Sequence, residues 1–259
     1  MDLISKARLQ NIAAEKGFNL IYLEKDYFLT VLLCLIKDIE GLYFKGGTAL
    51  NKTVFNHTRL SEDLDFTCTT KISEVKKKIE KIIKENPSLF TRIGTDKETQ
   101  KFTRIQVFYK GYFREKEYVN VDLNAHARIH LKPEEKSVKH FYYGKIPKFS
   151  IQTLNFKELI AEKVAATFGR NAPRDYYDLY NIITKKIPVN IKLVKQKLKE
   201  HNQKFDINKI FKPGSKVYSR WETDLLPLTK TKPEYKKVIK TISKYFKYKQ
   251  NKKIKRKLY

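Results

Sequence analysis

The chain has 259 residues, of which 41% are hydrophobic and 13% aromatic, so it holds enough apolar material for a packed core and too much for wholesale disorder. Two cysteines, Cys34 and Cys68, exclude a disulfide framework and a structural zinc site, and the longest apolar stretch, around residues 30–36, is too short for a membrane span. The 55 basic residues outnumber the 28 acidic ones to give a net charge of +27, which points either to a polyanionic partner or to a lysine-rich composition.

In chain order, residues 2–16 and 23–38 read as helices, the second with Tyr27, Val31, Leu32, Leu35 and Ile36 at helical spacing. A short strand at residues 42–44 is stopped by Gly46-Gly47, and a helix is expected over residues 48–55. Asp63–Cys68 alternates as a strand, and residues 73–85 form an amphipathic helix ended by Asn86-Pro87. Phe102–Tyr109 and residues 118–125 alternate as two further strands, followed by a basic connector over 131–150. Helices are then expected over 156–168, 173–183, 190–201 and 233–249, with Asn155 and Pro173 as start signals and Gly169 as a stop. The expected fold is therefore α+β: a mixed sheet flanked by helices over residues 1–150, then an all-helical part over 151–259.

Charge follows the same division. Residues 1–150 carry a net +8 and residues 151–259 a net +19. The back part is thus the natural surface for a nucleic acid. With an amino terminus that lacks a secretory-signal layout and with cysteines kept reduced, a cytoplasmic location is expected.

The chemistry concentrates in two stretches. A strand that runs through Gly46-Gly47 into a helix exposes backbone N–H groups that phosphate oxygens can approach closely, here on Gly46, Gly47 and Thr48. Lys52, about one turn further on, is positioned to add charge to the same site. Asp63 and Asp65 project from one side of the next strand, with Cα atoms ~6.5–7 Å apart, while Leu64 and Phe66 face the core. Like charges so placed are costly unless a cation neutralises them, so a divalent metal is the expected occupant. Asp122 joins them as a third metal ligand if its strand lies beside theirs; otherwise it is an exposed strand carboxylate. Lys163, flanked by apolar residues, reads either as a phosphate ligand or as a snorkelling surface lysine. Asp175 and Asp178 lie three apart on the following helix, where an Arg174–Asp178 surface pair is the simpler explanation. The five histidines show no ligand spacing. Trp221 reads as a packing anchor, and the aromatic-lysine run 245–249 as either a base-stacking surface or the buried side of a last helix.

The Gly-Gly turn followed by Asp-Leu-Asp resembles the DNA polymerase β-like nucleotidyltransferase superfamily. The fuller text, Lys45-Gly46-Gly47-Thr48-Ala49-Leu50 with Arg59-Leu60-Ser61-Glu62-Asp63-Leu64-Asp65-Phe66, is similar to its AbiEii-type branch of abortive-infection and type IV toxin–antitoxin enzymes. A second block, Glu158–Ala166 with Pro173-Arg174-Asp175-Tyr176-Tyr177-Asp178-Leu179, matches that branch too, so the resemblance spans roughly residues 40–183. It implies a polymerase β-like core and a metal-dependent (Mg²⁺ or Mn²⁺) transfer of NMP from an NTP to an acceptor hydroxyl. The acceptor it implies is RNA, plausibly the 3′ end of tRNA, with an antitoxin protein as partner. In this reading Gly46, Gly47, Thr48, Lys52 and Ser61 contact the nucleotide, and Asp63, Asp65 and Asp122 hold metal. Lys163 holds the triphosphate, and Asp175 orients Lys163 or activates the acceptor. Two alternatives stay open: a nucleic-acid-binding protein with an idle nucleotidyltransferase core, and a transferase acting on a protein or small molecule.

Overall fold

The computed structural model describes residues 3–114 and 117–248 of the chain. It divides into two compact units, residues 1–155 and 156–259. No helix among the described residues is long and apolar enough to cross a membrane.

The first unit opens with two helices, α1 (Lys6–Lys16) and α2 (Leu20–Ile36). Ser5 and Asn19 cap them by accepting from the backbone of Arg8 and Ile21, and Gly17 separates them in a left-handed conformation at φ 69°. These caps set both helix starts: α1 begins later than residue 2 and α2 earlier than residue 23. Strand β1 (Leu42–Lys45) runs into α3 (Gly46–Leu50), which widens into a π-helical turn over Asn51–Phe55 where a regular helix was expected. Then follow β2 (Asp63–Cys68), α4 (Ile72–Lys84), β3 (Arg92–Thr99), β4 (Phe102–Tyr109), β5 (Glu117–Asn124), β6 (Glu134–Ser137) and β7 (Ser150–Thr153).

The seven strands form one mixed sheet in the order β3-β4-β5-β2-β1-β7-β6. β2 runs parallel to β5 and antiparallel to β1, and β7 runs parallel to β1. Leu64, Phe66, Val119, Val121, Leu123, Ile105 and Val107 are buried on one face, against which α2 and α4 pack. Phe28 of α2 stacks on Tyr109 with ring centroids 3.9 Å apart, a contact worth about 0.5–1.5 kcal/mol beyond its buried area. Alternate residues of β2, β4 and β5 therefore point to the other face, which is polar at its centre, with Asp63, Asp65, Arg104, Gln106, Asn120 and Asp122, and carries the aromatic pair Phe108–Tyr118 further along. Three strands were not expected. β3 is polar because it lies at the sheet edge, and β6 and β7 are four residues each within the basic connector. Since β7 belongs to the sheet, the first unit runs on to Asn155.

The second unit is helical: α5 (Phe156–Ala166), α6 (Pro173–Thr184), α7 (Ile191–Glu200), then three short helices α8 (Asn208–Phe211), α9 (Gly214–Ser219) and α10 (Trp221–Asp224), and finally α11 (Tyr235–Tyr245). α7 docks on α5 through Lys197, a buried ammonium 2.6 Å from Glu158 and 2.9 Å from Glu162. Trp221 is a packing anchor: its indole N–H donates to the Pro233 carbonyl at 2.7 Å, and Tyr235 meets it edge-on. Of the aromatic run at the end, Tyr248 stacks on Phe211 with centroids 4.1 Å apart, while Phe246 is half-buried. Lys249 and the basic residues beyond it lie outside the described residues.

Candidate active site

In the first unit the site assembles where β1 ends. Gly46 has φ +77°, a conformation few other residues adopt, and a Cβ there would overlap the Asp65 carboxylate. Glycine is required on both counts, so the carboxylate lies directly against the turn. Lys45, the N-cap residue of α3, does not cap the helix with its side chain. Thr48 donates its hydroxyl to the Asp63 carbonyl, tying α3 to the start of β2. Asn51 donates to the Gly47 carbonyl at 3.0 Å and accepts from Thr58 and from the Arg59 backbone N–H. The loop thus held against the turn contains two consecutive left-handed residues, Asn56 and His57, both at φ 59° and neither a glycine. Arg59 is buried and donates to the Leu60 carbonyl and to Ser61 Oγ, so Ser61 is engaged within its own loop.

Asp63 and Asp65 occupy alternate, half-buried positions of β2 on the polar face of the sheet. Asp63 Oδ1 accepts from Asn120 Nδ2 at 3.0 Å, and Asn120 is its register partner on β5. Asp122 is the register partner of Asp65, so the third carboxylate does stand beside the pair. It is already engaged: Arg104 of β4 grips it with a two-pronged fork, Nε to Oδ1 at 2.7 Å and Nη2 to Oδ2 at 2.8 Å. That hydrogen bonding pushes the pKa of Arg104 up further. Among the described residues no three His, Cys, Asp or Glu side chains converge as a metal-binding group. Asp63 and Asp65 nonetheless suit Mg²⁺, a hard cation that takes one or two carboxylates and completes its shell with water and substrate phosphates.

Lys52 is placed differently from its expected position beside the anion turn. It lies in the π-helical turn with 1% of its side chain exposed, its ammonium 2.8 Å from Asp26 Oδ1 and 2.9 Å from Thr30 Oγ1. The Tyr142 hydroxyl lies 3.0 Å from Asp26 Oδ2. Burial pushes the Lys52 pKa down while Asp26 opposes the shift. This lysine reaches inward to α2 because a buried carboxylate waits there, 26 residues upstream. Its role is to fasten the turn to α2.

In the second unit, Lys163 of α5 is buried, with its ammonium 2.8 Å from Asp175 and 3.1 Å from Asp178, both on α6. Asp178 is fully buried, so its pairing with Lys163 belongs to the interior of the unit and not to its surface. One cation between two buried carboxylates fixes the crossing of α5 over α6. Sequence reasoning did not single out Arg104, Asn120 or Asp26. The period-2 pattern of β4 and β5 puts Arg104 and Asn120 on the polar face with Asp122, whereas nothing local marked Asp26.

Comparison with known proteins follows the same lines. The family model described as "Nucleotidyl transferase AbiEii toxin, Type IV TA system" matches residues 28–251, beyond both ends of the motif blocks. Among solved structures, the chain resembles MenT4, a nucleotidyltransferase toxin from Mycobacterium tuberculosis H37Rv, at 19% identity and a TM-score of 0.70, covering 99% of this chain and 94% of that one. JHP933 from Helicobacter pylori gives 20% identity and a TM-score of 0.59 over 92% of this chain and 93% of that one. At these identities the likeness is one of fold. No curated protein matches the chain by sequence.

Proposed function

The chain belongs to the AbiEii nucleotidyl transferase toxin family, and from that membership we propose that it transfers NMP from an NTP to a hydroxyl of an RNA acceptor, plausibly the 3′ end of a tRNA. The observation that carries this reading is the Asp65 carboxylate lying against Gly46. It sets a cation-binding pair beside an anion-binding turn, the two functions that phosphoryl-group transfer needs in one place. The backbone of Gly46–Thr48 binds the phosphates. Asp63, steadied by Asn120, and Asp65 hold Mg²⁺ or Mn²⁺. When bound, the ion neutralises phosphate charge and lowers the pKa of the attacking hydroxyl.

The acceptor oxygen forms a bond to the α-phosphorus as the bond from that phosphorus to the bridging oxygen breaks. Pyrophosphate leaves and the hydroxyl proton is lost to solvent. On the family resemblance, Lys163 is the triphosphate ligand and Asp175 the residue that orients it; their 2.8 Å pairing suits that orienting role. The net +19 of the back part supports an RNA acceptor, and the family description supports an antitoxin protein as partner.

The test is to incubate wild type, Asp63→Asn and Asp65→Asn with each labelled NTP, Mg²⁺ and total tRNA. Label should pass to tRNA with wild type and fall by on the order of 10³ or more in either variant. Transfer undiminished in both variants would sink the mechanism.

A further inference from the structure

Read across the strands, one row of the polar sheet face runs Lys97 on β3, Arg104 on β4, Asp122 on β5, Asp65 on β2 and Lys45 on β1, each residue the register partner of the next. We infer that Arg104, held in place by Asp122, contacts a backbone phosphate of a nucleic-acid acceptor strand, and that Asp122 is its positioning residue. The inference rests on the proposed nucleotidyltransferase reading for the side from which the acceptor arrives.

Three observations carry it. The first is direction. Gly46 continues β1, on one side of Asp65, and Arg104 stands two strands away on the other side, about 10 Å off at normal strand spacing. Attacking and leaving oxygens lie roughly in line across the transferred phosphorus. With the phosphates on the Gly46–Thr48 turn, the acceptor must enter from the β5–β4 side, where Arg104 waits.

The second is the geometry of the arginine. The fork to Asp122 uses Nε and Nη2, and among the described residues Nη1 makes no hydrogen bond. The Asp122 side chain is 13% exposed and that of Arg104 37%, so the more buried partner anchors a cation that still reaches solvent. A planar guanidinium fixed on one edge is suited to a phosphodiester on the other. Both Asp122 oxygens accept from Arg104, so its place in the row is read as serving that arginine.

The third is continuity of charge. The exposed Lys97 extends the row beyond Arg104, making a two-cation track that leads away from the carboxylates. Such contacts position a strand without reading its sequence.

The experiment measures binding and turnover separately. Fluorescence anisotropy with labelled total tRNA is run across a salt series for wild type, Arg104→Ala, Arg104→Gln, Arg104→Lys, Asp122→Ala and the Arg104→Ala/Asp122→Ala double variant, after thermal melts of each. Arg104→Ala, or Arg104→Gln should the alanine variant not fold, is expected to weaken binding roughly tenfold at low salt. The same variant should reduce the slope of log affinity against log salt by about 0.7–0.9. Arg104→Lys should keep the slope. Asp122→Ala should lose part of the affinity, and the double variant should bind no worse than Arg104→Ala alone. In transfer assays the KM for NTP and the Mg²⁺ concentration for half-maximal rate should stay at wild-type values in Asp122→Ala.

A raised Mg²⁺ requirement in Asp122→Ala but not in Arg104→Ala would make Asp122 a metal ligand and overturn the proposal. So would a raised KM for NTP in Arg104→Ala with tRNA binding intact, or a wild type that does not bind tRNA. Failure of the parent reading shows elsewhere, as transfer undiminished in the Asp63 and Asp65 variants, while the binding arm scores Arg104 without any turnover.

Discussion

Asp63 and Asp65 are like charges on alternate positions of one strand, half-buried on a polar face, whereas Asp175 and Asp178 are like charges sunk in a helical core around a single ammonium. Both groups came to attention through motifs of the same family, yet they differ in burial: the strand pair is half-buried and the helix pair is sunk in the interior. The strand pair gains from an incoming cation. The helix pair already has its cation and loses by any change to it. Removing one partner of a buried ion pair strands the other in a low-dielectric interior, while neutralising a half-buried strand carboxylate leaves no buried charge unpaired. The difference teaches that motifs of one family can set carboxylates half-buried on a sheet face in one unit and closed around a buried lysine in another, and that substitutions tell the two arrangements apart through stability as much as through activity.

The sharpest test of that comparison is Lys163→Ala, expected to cost the second unit about 3–5 kcal/mol in urea unfolding. Trp221, the chain's one tryptophan, lies in that unit and reports the transition by fluorescence. A loss below about 1 kcal/mol would mean the clasp is not structural.

In the first unit, Lys52→Met should cost a similar few kcal/mol by leaving Asp26 buried and unpaired, and the double variant Lys52→Met/Asp26→Leu should recover much of it. Circular dichroism melts of the three proteins would decide, and a double variant as unstable as the single one would argue that the network has further obligatory partners.

A smaller effect is expected from Gly46→Ala. Its strained φ costs about 1–3 kcal/mol, and its Cβ displaces Asp65, so transfer should fall well beyond what the stability loss explains. Smaller again, Asp63→Asn and Asp65→Asn should melt within about 1 kcal/mol of wild type, in contrast to Lys163→Ala. A large drop in their melting points would erase the distinction between the two regions.

Last, burial pushes the Cys68 thiol up to about 11 and raises that of Cys34. Both thiols are buried and burial disfavours their thiolates, so alkylation by iodoacetamide should wait for unfolding, without loss of transfer before it.

Much of this was legible along the chain. The alternation of Asp63–Cys68 places both carboxylates on one face, while whether Asp122 stands near them depends on strand pairing, which the parallel register of β5 with β2 supplies. Helices with clear apolar faces, such as α4 with Val75, Ile79 and Ile83 buried, could be located from spacing alone. Two of the three strands that escaped notice have the least hydrophobic contrast: β3, whose side chains are mostly exposed at the sheet edge, and β6, which reads Glu-Glu-Lys-Ser. An edge strand is stabilised by pairing on one side, which imposes little demand on its composition.

What the sequence by itself determined are features set within a few residues: the turn that needs glycine, the two-residue period that aligns Asp63 with Asp65, and the family motifs. What only the tertiary structure decided is which charges are already spoken for. Lys52 was read as a phosphate ligand and is the buried partner of Asp26, steadied by Tyr142 from far along the chain. Asp122, a third metal ligand only if its strand pairs with β2, does lie beside Asp65 but in the grip of Arg104. The reason is physical: backbone geometry follows local spacing, whereas an ion pair is chosen by proximity and burial between segments that meet only when the sheet and its helices assemble.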